Sequence, residues 1–187
     1  MNEDEIFEIL KKDCKQYLDV LKNCRRGYFL LRGYFYQIDA MKKFDHNLDN
    51  RKPKNMSQDN HDKINNHFLP IFNWKIRNGI FCYGFDILNN KPKDLGYGIF
   101  YLFFPIGNFN YVYSPEYFDL FVHINQTKGD INEIISNLDF KDVDFCNVMK
   151  LRKEFDDFGN EVSIKANSYY LLNTSYAEKF SLKIWGY

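Results

Sequence analysis

The segment YFLLRGY, Tyr28 to Tyr34, decides the fold of this chain, because an apolar run leads directly into an arginine and a glycine. Aromatic and branched side chains fill a pleated surface well, so the run predicts a strand packed on both faces. Arg32 lies where this strand is expected to end. A guanidinium there either pairs with a carboxylate at a sheet edge or faces an anion. Gly33 permits a sharp turn or a close approach of the backbone to a ligand.

The bulk composition indicates one domain without a global electrostatic field. The 187 residues include 25 basic and 25 acidic side chains, so general attraction of nucleic acid or of an anionic membrane is not expected. A local basic cleft remains compatible with this balance. Aromatic residues make up 19% of the chain, and they either fill the core or serve binding.

The cysteines, the N-terminal segment and the apolar runs indicate the cellular compartment of the protein. The four cysteines are scattered along the chain: Cys14, Cys24, Cys82 and Cys146. They form no C-x-x-C pair and have no zinc spacing, so we expect reduced thiols. The acidic N-terminus lacks the apolar region of a signal peptide, and the longest apolar run, Ile99 to Pro105, is too short to cross a bilayer. These features predict a soluble, cytoplasmic protein that does not use a membrane.

Helices are predicted mainly in the first half of the chain. Apolar residues between Ile6 and Leu21 recur at three- and four-residue steps, which predicts one amphipathic helix. Residues 45–62 are polar and rich in asparagine, which predicts a long loop. Its basic segment Arg51 to Lys54 is either a solvated charge run or part of a loop that folds over a phosphate-bearing ligand. A second helix is predicted from Asn60 to Trp74.

Strands are predicted mainly later in the chain. The strand candidates are Ile80–Gly84, Ile99–Phe104, Phe109–Tyr113, Val162–Ile164, Tyr169–Leu172 and Phe180–Trp185. The strands Ile99–Phe104 and Phe109–Tyr113 are expected to pair as a hairpin. Short helices are expected from Ser114 and over Asp130–Leu138. No repeat or linker divides the chain. Residues 1–187 are therefore predicted to form one α+β domain with N-terminal helices and a mixed, mainly antiparallel sheet.

Several common catalytic motifs are absent from the sequence, among them the P-loop, G-x-G-x-x-G, H-E-x-x-H and G-x-S-x-G. No spacing indicates a Cys–His nucleophile pair. Three pieces remain, in a fixed order. The first is a strand that ends in Arg32 and Gly33, and the second is the strand Ile80 to Gly84. The third is a late strand that begins with Asn160, Glu161 and Val162 and is soon followed by Tyr169 to Leu172.

This order of pieces resembles the ADP-ribosyltransferase superfamily whose site is built on an arginine, a serine-containing strand and a glutamate. The resemblance implies a split, mainly antiparallel sheet and NAD⁺ as a substrate. Arg32 would hold the diphosphate with its planar pair of donors. Glu161 would hydrogen-bond the ribose and stabilise the oxocarbenium-like cation that forms when nicotinamide leaves. Arg32 and Glu161 are thus the expected catalytic residues.

Further residues are expected to contribute to NAD⁺ binding. They are glycine, basic or aromatic residues near the three pieces or in the polar loop: Gly33, Arg51, His61, Arg77, Phe81, Tyr83 and Tyr97. One of the three aromatic rings would stack on nicotinamide. The alternatives are that Glu161 is an exposed strand residue and that the aromatic rings belong to the core.

The sequence departs from the superfamily pattern at two places. The middle strand reads Cys82, Tyr83, Gly84, without the expected serine. Gly159 stands two residues before Glu161, where many arginine-modifying members carry a second acid. These departures predict an acceptor other than simply a protein arginine.

The chain is also similar to uncharacterised proteins of bacteriophages and large DNA viruses. The shared features R-K-P, H-x-x-x-N, R-N-x-x-F, Y-G and F-P-x-G correspond here to Arg51–Pro53, His61 with Asn65, Arg77–Phe81, Tyr97–Gly98 and Phe104–Gly107. Two functions follow. The first is transfer of ADP-ribose from NAD⁺ to a protein or nucleic acid by a viral or toxin-like effector in the host cytoplasm. The second is a non-catalytic viral protein that uses a related scaffold to bind or inhibit a host macromolecule.

Overall fold

A computed structural model describes residues 1–49, 51–54, 56–92, 96, 98–127, 129–149 and 158–186. The strands are β1 (Tyr28–Tyr34), β2 (Met41–Asp45), β3 (Ile80–Asp86), β4 (Ile99–Pro105), β5 (Asn110–Tyr113), β6 (Phe158–Lys165) and β7 (Ser168–Leu172). The α-helices are α1 (Glu3–Asp13), α2 (Lys15–Lys22), α3 (Gln58–Phe72), α4 (Leu120–Gln126), α5 (Ile131–Ser136) and α6 (Ala177–Trp185). The predicted α+β class is therefore confirmed. Within the described ranges, none of the helices has the length and apolar composition that a membrane crossing needs.

The strands form one antiparallel sheet in the order β2-β7-β4-β1-β3-β6-β5. The strand that contains Arg32 lies at its centre. The expectation of a mainly antiparallel sheet is confirmed, but the ladders are continuous from edge to edge, so the sheet is not split in two. The three strands that carry the superfamily-like pieces are neighbours, with β3 between β1 and β6.

The central ladder opens at one end. The last pair between β1 and β3 is Leu31 with Tyr83. Beyond it, β1 continues to Tyr34 and stays paired with β4, while β3 begins at Ile80 and stays paired with β6. The two strands therefore separate where Arg32 and Cys82 would otherwise face each other, and this separation creates room for a cavity.

Both ends of the chain are helical, and two sequence predictions are wrong there. The predicted N-terminal helix is broken into α1 and α2 at Cys14. The predicted final strand is helix α6, in which Ala177, Phe180, Ser181 and Ile184 are buried at three- and four-residue steps. A short alternating stretch of apolar and polar residues fits both patterns, and packing against α2 selects the helix here.

The connections in the middle of the chain also differ from the predictions. Strands β4 and β5 do not form a hairpin, because β4 pairs with β1 and β7 while β5 pairs with β6 at the sheet edge. The helix expected from Ser114 begins only at Leu120, after the N-cap Asp119. The polar loop is shorter than predicted, since β2 reaches Asp45 and α3 starts at Gln58.

The helices and the sheet enclose two apolar clusters. The larger one contains the central strands, α1, α2 and α6, with Tyr17 packed edge-on against Phe104, Phe109 and Phe145. The smaller one joins α3, α4 and α5 to β5 through residues such as Phe68.

Two of the cysteines correct the expectation of reduced thiols. Cys24 and Cys146 form a disulfide, although they are 122 residues apart in sequence. Such a separation leaves no local spacing signal, so the pairing depends on the fold alone. Cys14 and Cys82 are free and buried.

Two glycines, one on β3 and one on β6, allow a neighbouring backbone segment to approach closely. A Cβ on Gly159 would lie 2.4 Å from the carbonyl oxygen of Val148, and a Cβ on Gly84 would lie 2.5 Å from the same oxygen. Val148 belongs to the short 3-10 helix Phe145–Met149, which packs against β3 and β6. This packing explains why position 159 holds glycine and not a second acid.

We expect Gly159→Ala to destabilise the protein by about 3 kcal/mol. The new methyl group would clash with a backbone oxygen, which cannot move aside as a flexible side chain can. Chemical denaturation measures the loss. Gly107→Ala is the matched control, because its Cβ would meet nothing within 4 Å and only its positive φ of 70° adds strain. That strain costs about 1 kcal/mol, so an equal loss in both variants would contradict the packing described for Gly159.

Candidate functional site

A cavity of about 350 Å³ lies at the opening between β1 and β3. This volume is within the usual range for small-molecule sites. Its walls come from the strand ends, the polar loop, and the starts of α3 and α4. The lining residues are Arg32, Gly33, Phe35, His46, Arg51, Lys52, Pro53, Lys54, Met56, His61, Arg77, Phe81, Tyr83, Asp119, Phe121 and Glu161.

Arg32 spans the opening of the sheet. Its Nη1 donates a hydrogen bond of 2.8 Å to the carbonyl oxygen of Phe81. Its guanidinium also lies 5.6 Å from the ring centre of Tyr169. Among the described residues, no carboxylate pairs with Arg32, so the sheet-edge ion pair that the sequence left open is not found.

Two further guanidiniums share one aromatic ring. Those of Arg51 and Arg77 each lie 4.1 Å from the ring centre of Phe81. Nη1 of Arg51 also donates to the carbonyl oxygens of Arg77, at 3.2 Å, and of Gly79. Burial, with the neighbouring positive charges of Arg77 and Arg32, lowers the pKa of Arg51 to about 10. Arg51 is thus still charged at neutral pH, and an anion in the cavity would relieve the repulsion.

Glu161 is the carboxylate opposite these cations. It is paired with Tyr83 in the sheet, and its side chain is 12% exposed. Its Oε1 accepts a 3.1 Å hydrogen bond from Nη1 of Arg77. Burial raises the pKa of Glu161 to about 7 and the charge of Asp119 adds to this, while Arg77 opposes it. At neutral pH this group therefore exists both as acid and as carboxylate, which suits proton transfer.

Asp119 is a site residue that the sequence analysis missed. It is 4% exposed and accepts a 2.8 Å hydrogen bond from the hydroxyl of Tyr83. The same side chain caps α4 by accepting from the backbone N–H groups of Phe121 and Val122. An aspartate directly before an apolar run is a cap signal, but the Ser-Pro pair upstream offered a stronger one.

A buried network of two asparagines positions the loop and Arg77. The side chain of Asn65 accepts from the backbone N–H of Arg77 at 2.8 Å and donates to Asn78 at 3.1 Å. Asn78 in turn donates to the carbonyl of Leu48 at 2.6 Å, and its own carbonyl accepts from Nε2 of His46 at 2.7 Å. Burial lowers the pKa of His46. His46 was missed because it follows β2, which the sequence analysis did not identify.

Two buried polar atoms in the cavity wall lack a partner among the described residues. They are Nε2 of His61 and Nε of Arg77. His61 is 3% exposed, and its other ring nitrogen lies 3.3 Å from a carboxylate oxygen of Asp62. Buried groups of this kind are usually hydrogen-bonded, so they fit a ligand with polar atoms in the cavity.

The structure brings the sequence-predicted site residues into one place, with one exception. Those that line the cavity are Arg32, Gly33, Arg51, His61, Arg77, Phe81, Tyr83 and Glu161. Tyr97 lies outside the described residues. The ring of Phe81 contacts two guanidiniums, and that of Tyr83 stacks on Phe118 at 5.2 Å, so both rings have contacts other than the stacking on nicotinamide that the resemblance implied.

Comparison of the chain with models of protein families, with curated protein sequences and with solved structures gave no match. The interpretation of the cavity therefore depends on its own residues. These supply several fixed cations, one carboxylate with a raised pKa, and two buried polar atoms without a partner among the described residues. The charges and donors of such a set suit an anionic ligand, with a carboxylate beside it.

We expect Glu161→Gln to remove a pH dependence of stability. Because the folded pKa of about 7 exceeds the reference value of 4.5, the folded state binds more protons between these values, and stability falls as pH rises through them. The full effect is about 3 kcal/mol. Gln can still accept from Arg77, so the variant should fold.

Denaturation of both proteins between about pH 5 and pH 8 measures the difference, with the exposed Glu178→Gln as the matched control. The control should retain the pH dependence of the unsubstituted protein. If Glu161→Gln also retains it, the carboxyl is not held in the environment described here.

Proposed function

We propose that this protein transfers ADP-ribose from NAD⁺ to a macromolecular acceptor. The observation that carries the proposal is the convergence of Arg32 and Glu161 on one cavity, at the opening of the sheet. Their strands are separated by β3, the strand that the superfamily resemblance places between them. A guanidinium for a diphosphate and a carboxylate for a ribosyl cation are the two groups that this reaction needs.

The basic side chains suit the diphosphate of NAD⁺. Among the described residues, the cavity wall contains five lysine and arginine residues against two carboxylates. Arginine presents a planar set of donors that matches phosphate oxygens, and burial strengthens this attraction. Arg32 already holds one backbone carbonyl, which fixes its guanidinium before a ligand binds. We assign the diphosphate to Arg32 and Arg51, because Arg77 holds Glu161.

The carboxylate suits bond cleavage at the ribose. When the bond between C1′ and the nicotinamide nitrogen breaks, the electron pair leaves with nicotinamide and positive charge develops on the ribose. The ionised form of Glu161 stabilises that charge, and it does so mainly in the transition state. Arg77 orients the carboxylate through their 3.1 Å contact. The acceptor then bonds to C1′, and its proton passes to Glu161, whose pKa of about 7 suits this transfer.

We expect the purified chain to release nicotinamide from labelled NAD⁺ and to transfer the label to a component of a cell extract. Glu161→Gln should lower kcat by about 100-fold or more, since it removes transition-state stabilisation. Arg32→Lys should instead mainly raise KM by about tenfold, because one charge-assisted hydrogen bond is lost. The exposed Glu178→Gln is the control and should match the unsubstituted protein.

The rate should also rise with pH between about 6 and 8, because the ionised form of Glu161 stabilises the cation and its pKa is about 7. Initial rates of nicotinamide release at fixed ionic strength provide the profile. A rate that does not change with pH in this range would show that the reaction does not depend on the ionisation of Glu161.

The alternative function is a non-catalytic viral protein that binds a host macromolecule through the same cavity. The pairing of Glu161 with Arg77 and the missing serine in β3 favour it. Calorimetry and a pull-down distinguish the two functions. No heat of NAD⁺ binding and no nicotinamide release would overturn the transferase proposal, and recovery of a stable partner by pull-down would then select the binding protein.

A further inference from the structure

A row of aromatic rings leads from the surface of the sheet to Arg32, which lines the cavity. This aromatic row consists of Tyr36, Tyr34, Phe44 and Tyr169, with ring centres 5.5, 5.0 and 5.3 Å apart in that order. Its inner end is Tyr169, over which the guanidinium of Arg32 lies. The row therefore connects the edge strand β2 with the residue assigned to the diphosphate.

The outer part of this surface is open to solvent. The side chain of Tyr36 is 72% exposed and that of Phe35 is 68% exposed, while Tyr34 and Phe44 are half-buried. Phe35 also lines the cavity itself. Adjacent aromatic rings with this much exposure offer flat faces to a ligand that can stack on them.

Basic side chains accompany the rings. The ammonium group of Lys42 lies 5.3 Å from the ring centre of Phe44, and Lys52 and Lys54 are exposed at the cavity rim. The diphosphate of NAD⁺ supplies two negative charges, whereas the described part of the cavity wall has five cations and two carboxylates. Since the chain as a whole is balanced, this excess is local.

One buried atom in the lining of the same cavity fits a ligand with a polar group. Nε2 of His61 has no partner among the described residues, although the residue is only 3% exposed. His61 and the rim lysines belong to the same cavity wall. A polar group of a bound molecule would satisfy this nitrogen.

We infer that the acceptor of the ADP-ribose is a single-stranded nucleic acid that lies along the aromatic row and the rim lysines. The inference rests on the proposed function and names its substrate class. A nucleic acid strand alternates phosphates with flat bases, and this surface combines cations with exposed rings. An acidic protein segment would match the cations but would leave the rings without stacking partners. A duplex hides the faces of its bases from such rings.

Transfer to a nucleic acid strand accounts for every bond, electron pair and proton. A nitrogen or hydroxyl of an unpaired nucleotide forms a bond to C1′ of the ribose, and the bond from C1′ to nicotinamide breaks. The electron pair leaves with nicotinamide, and the proton of the acceptor goes to Glu161. The products are an ADP-ribosylated strand and free nicotinamide, without any oxidant or reductant.

Fluorescence anisotropy with a labelled DNA or RNA strand of about 12 nucleotides tests the binding surface without NAD⁺. We expect a single strand to bind about tenfold more tightly than the duplex of the same sequence. The double variant Lys52→Gln, Lys54→Gln should weaken binding and reduce the slope of log K against log salt by about 1.4, at about 0.7 per lost phosphate contact. The double variant Lys12→Gln, Lys15→Gln is its control, because both lysines are exposed on the N-terminal helices and neither lines the cavity.

The aromatic part of the surface has its own variant. Phe35→Ala, Tyr36→Ala should weaken binding about tenfold or more while leaving the salt slope unchanged, because stacking involves no phosphate. Leu69→Ala, Ile71→Ala is its control, since both side chains are exposed apolar groups on α3. Equal affinity of all four double variants, or no binding of the single strand, would overturn the inference.

Labelled NAD⁺ with the same oligonucleotide tests the transfer itself. Protease-resistant label on the single strand supports the inference. Label that appears only on protein, with normal release of nicotinamide, overturns the inference and leaves the proposed function intact. Binding of the strand without any release of nicotinamide overturns the proposed transfer, yet still supports the strand as a ligand of the aromatic row.

Discussion

The structure depends on the point where β1 and β3 stop pairing, at Leu31 and Tyr83. Each strand is held by its other neighbour beyond that pair, so the strands separate without either being lost from the sheet. The guanidinium of Arg32 then donates to the carbonyl of Phe81 that the separation leaves available. This carbonyl is part-buried, and taking its donor from a long basic side chain brings positive charge to the opening of the sheet. The cavity and its charge thus have one origin.

Limited solvent contact explains the electrostatics of the cavity. Burial lowers the pKa of Arg51 and raises that of Glu161, because it disfavours the charged form of both groups. The ring of Phe81 contacts the guanidiniums of Arg51 and Arg77, which compensates part of the lost hydration. An anionic ligand would stabilise these cations further, while Glu161 remains able to lose and regain a proton near neutral pH. Both properties fit the proposed group transfer from an anionic donor.

Two kinds of support hold these groups in place. Asn65 and Asn78 link α3, the residues after β2 and the backbone of Arg77 by buried hydrogen bonds. The 3-10 helix Phe145–Met149 packs on β3 and β6 so closely that Gly84 and Gly159 cannot carry side chains without displacement of the backbone. The disulfide of Cys24 with Cys146 fixes that same segment to the residues that follow α2. The site strands are therefore braced independently of any ligand.

The sequence by itself determined the α+β class, the strands around Arg32, Phe81 and Glu161, and most of the charged residues that line the cavity. Apolar runs and the residues at their ends are local signals, so they can be identified along the chain. Only the tertiary structure decided that β4 and β5 pair with other strands and not with each other. It also decided the helical state of α6, the disulfide, and the contributions of His46 and Asp119. These features depend on which distant segments pack together, and packing free energy between distant segments leaves no periodicity in the sequence.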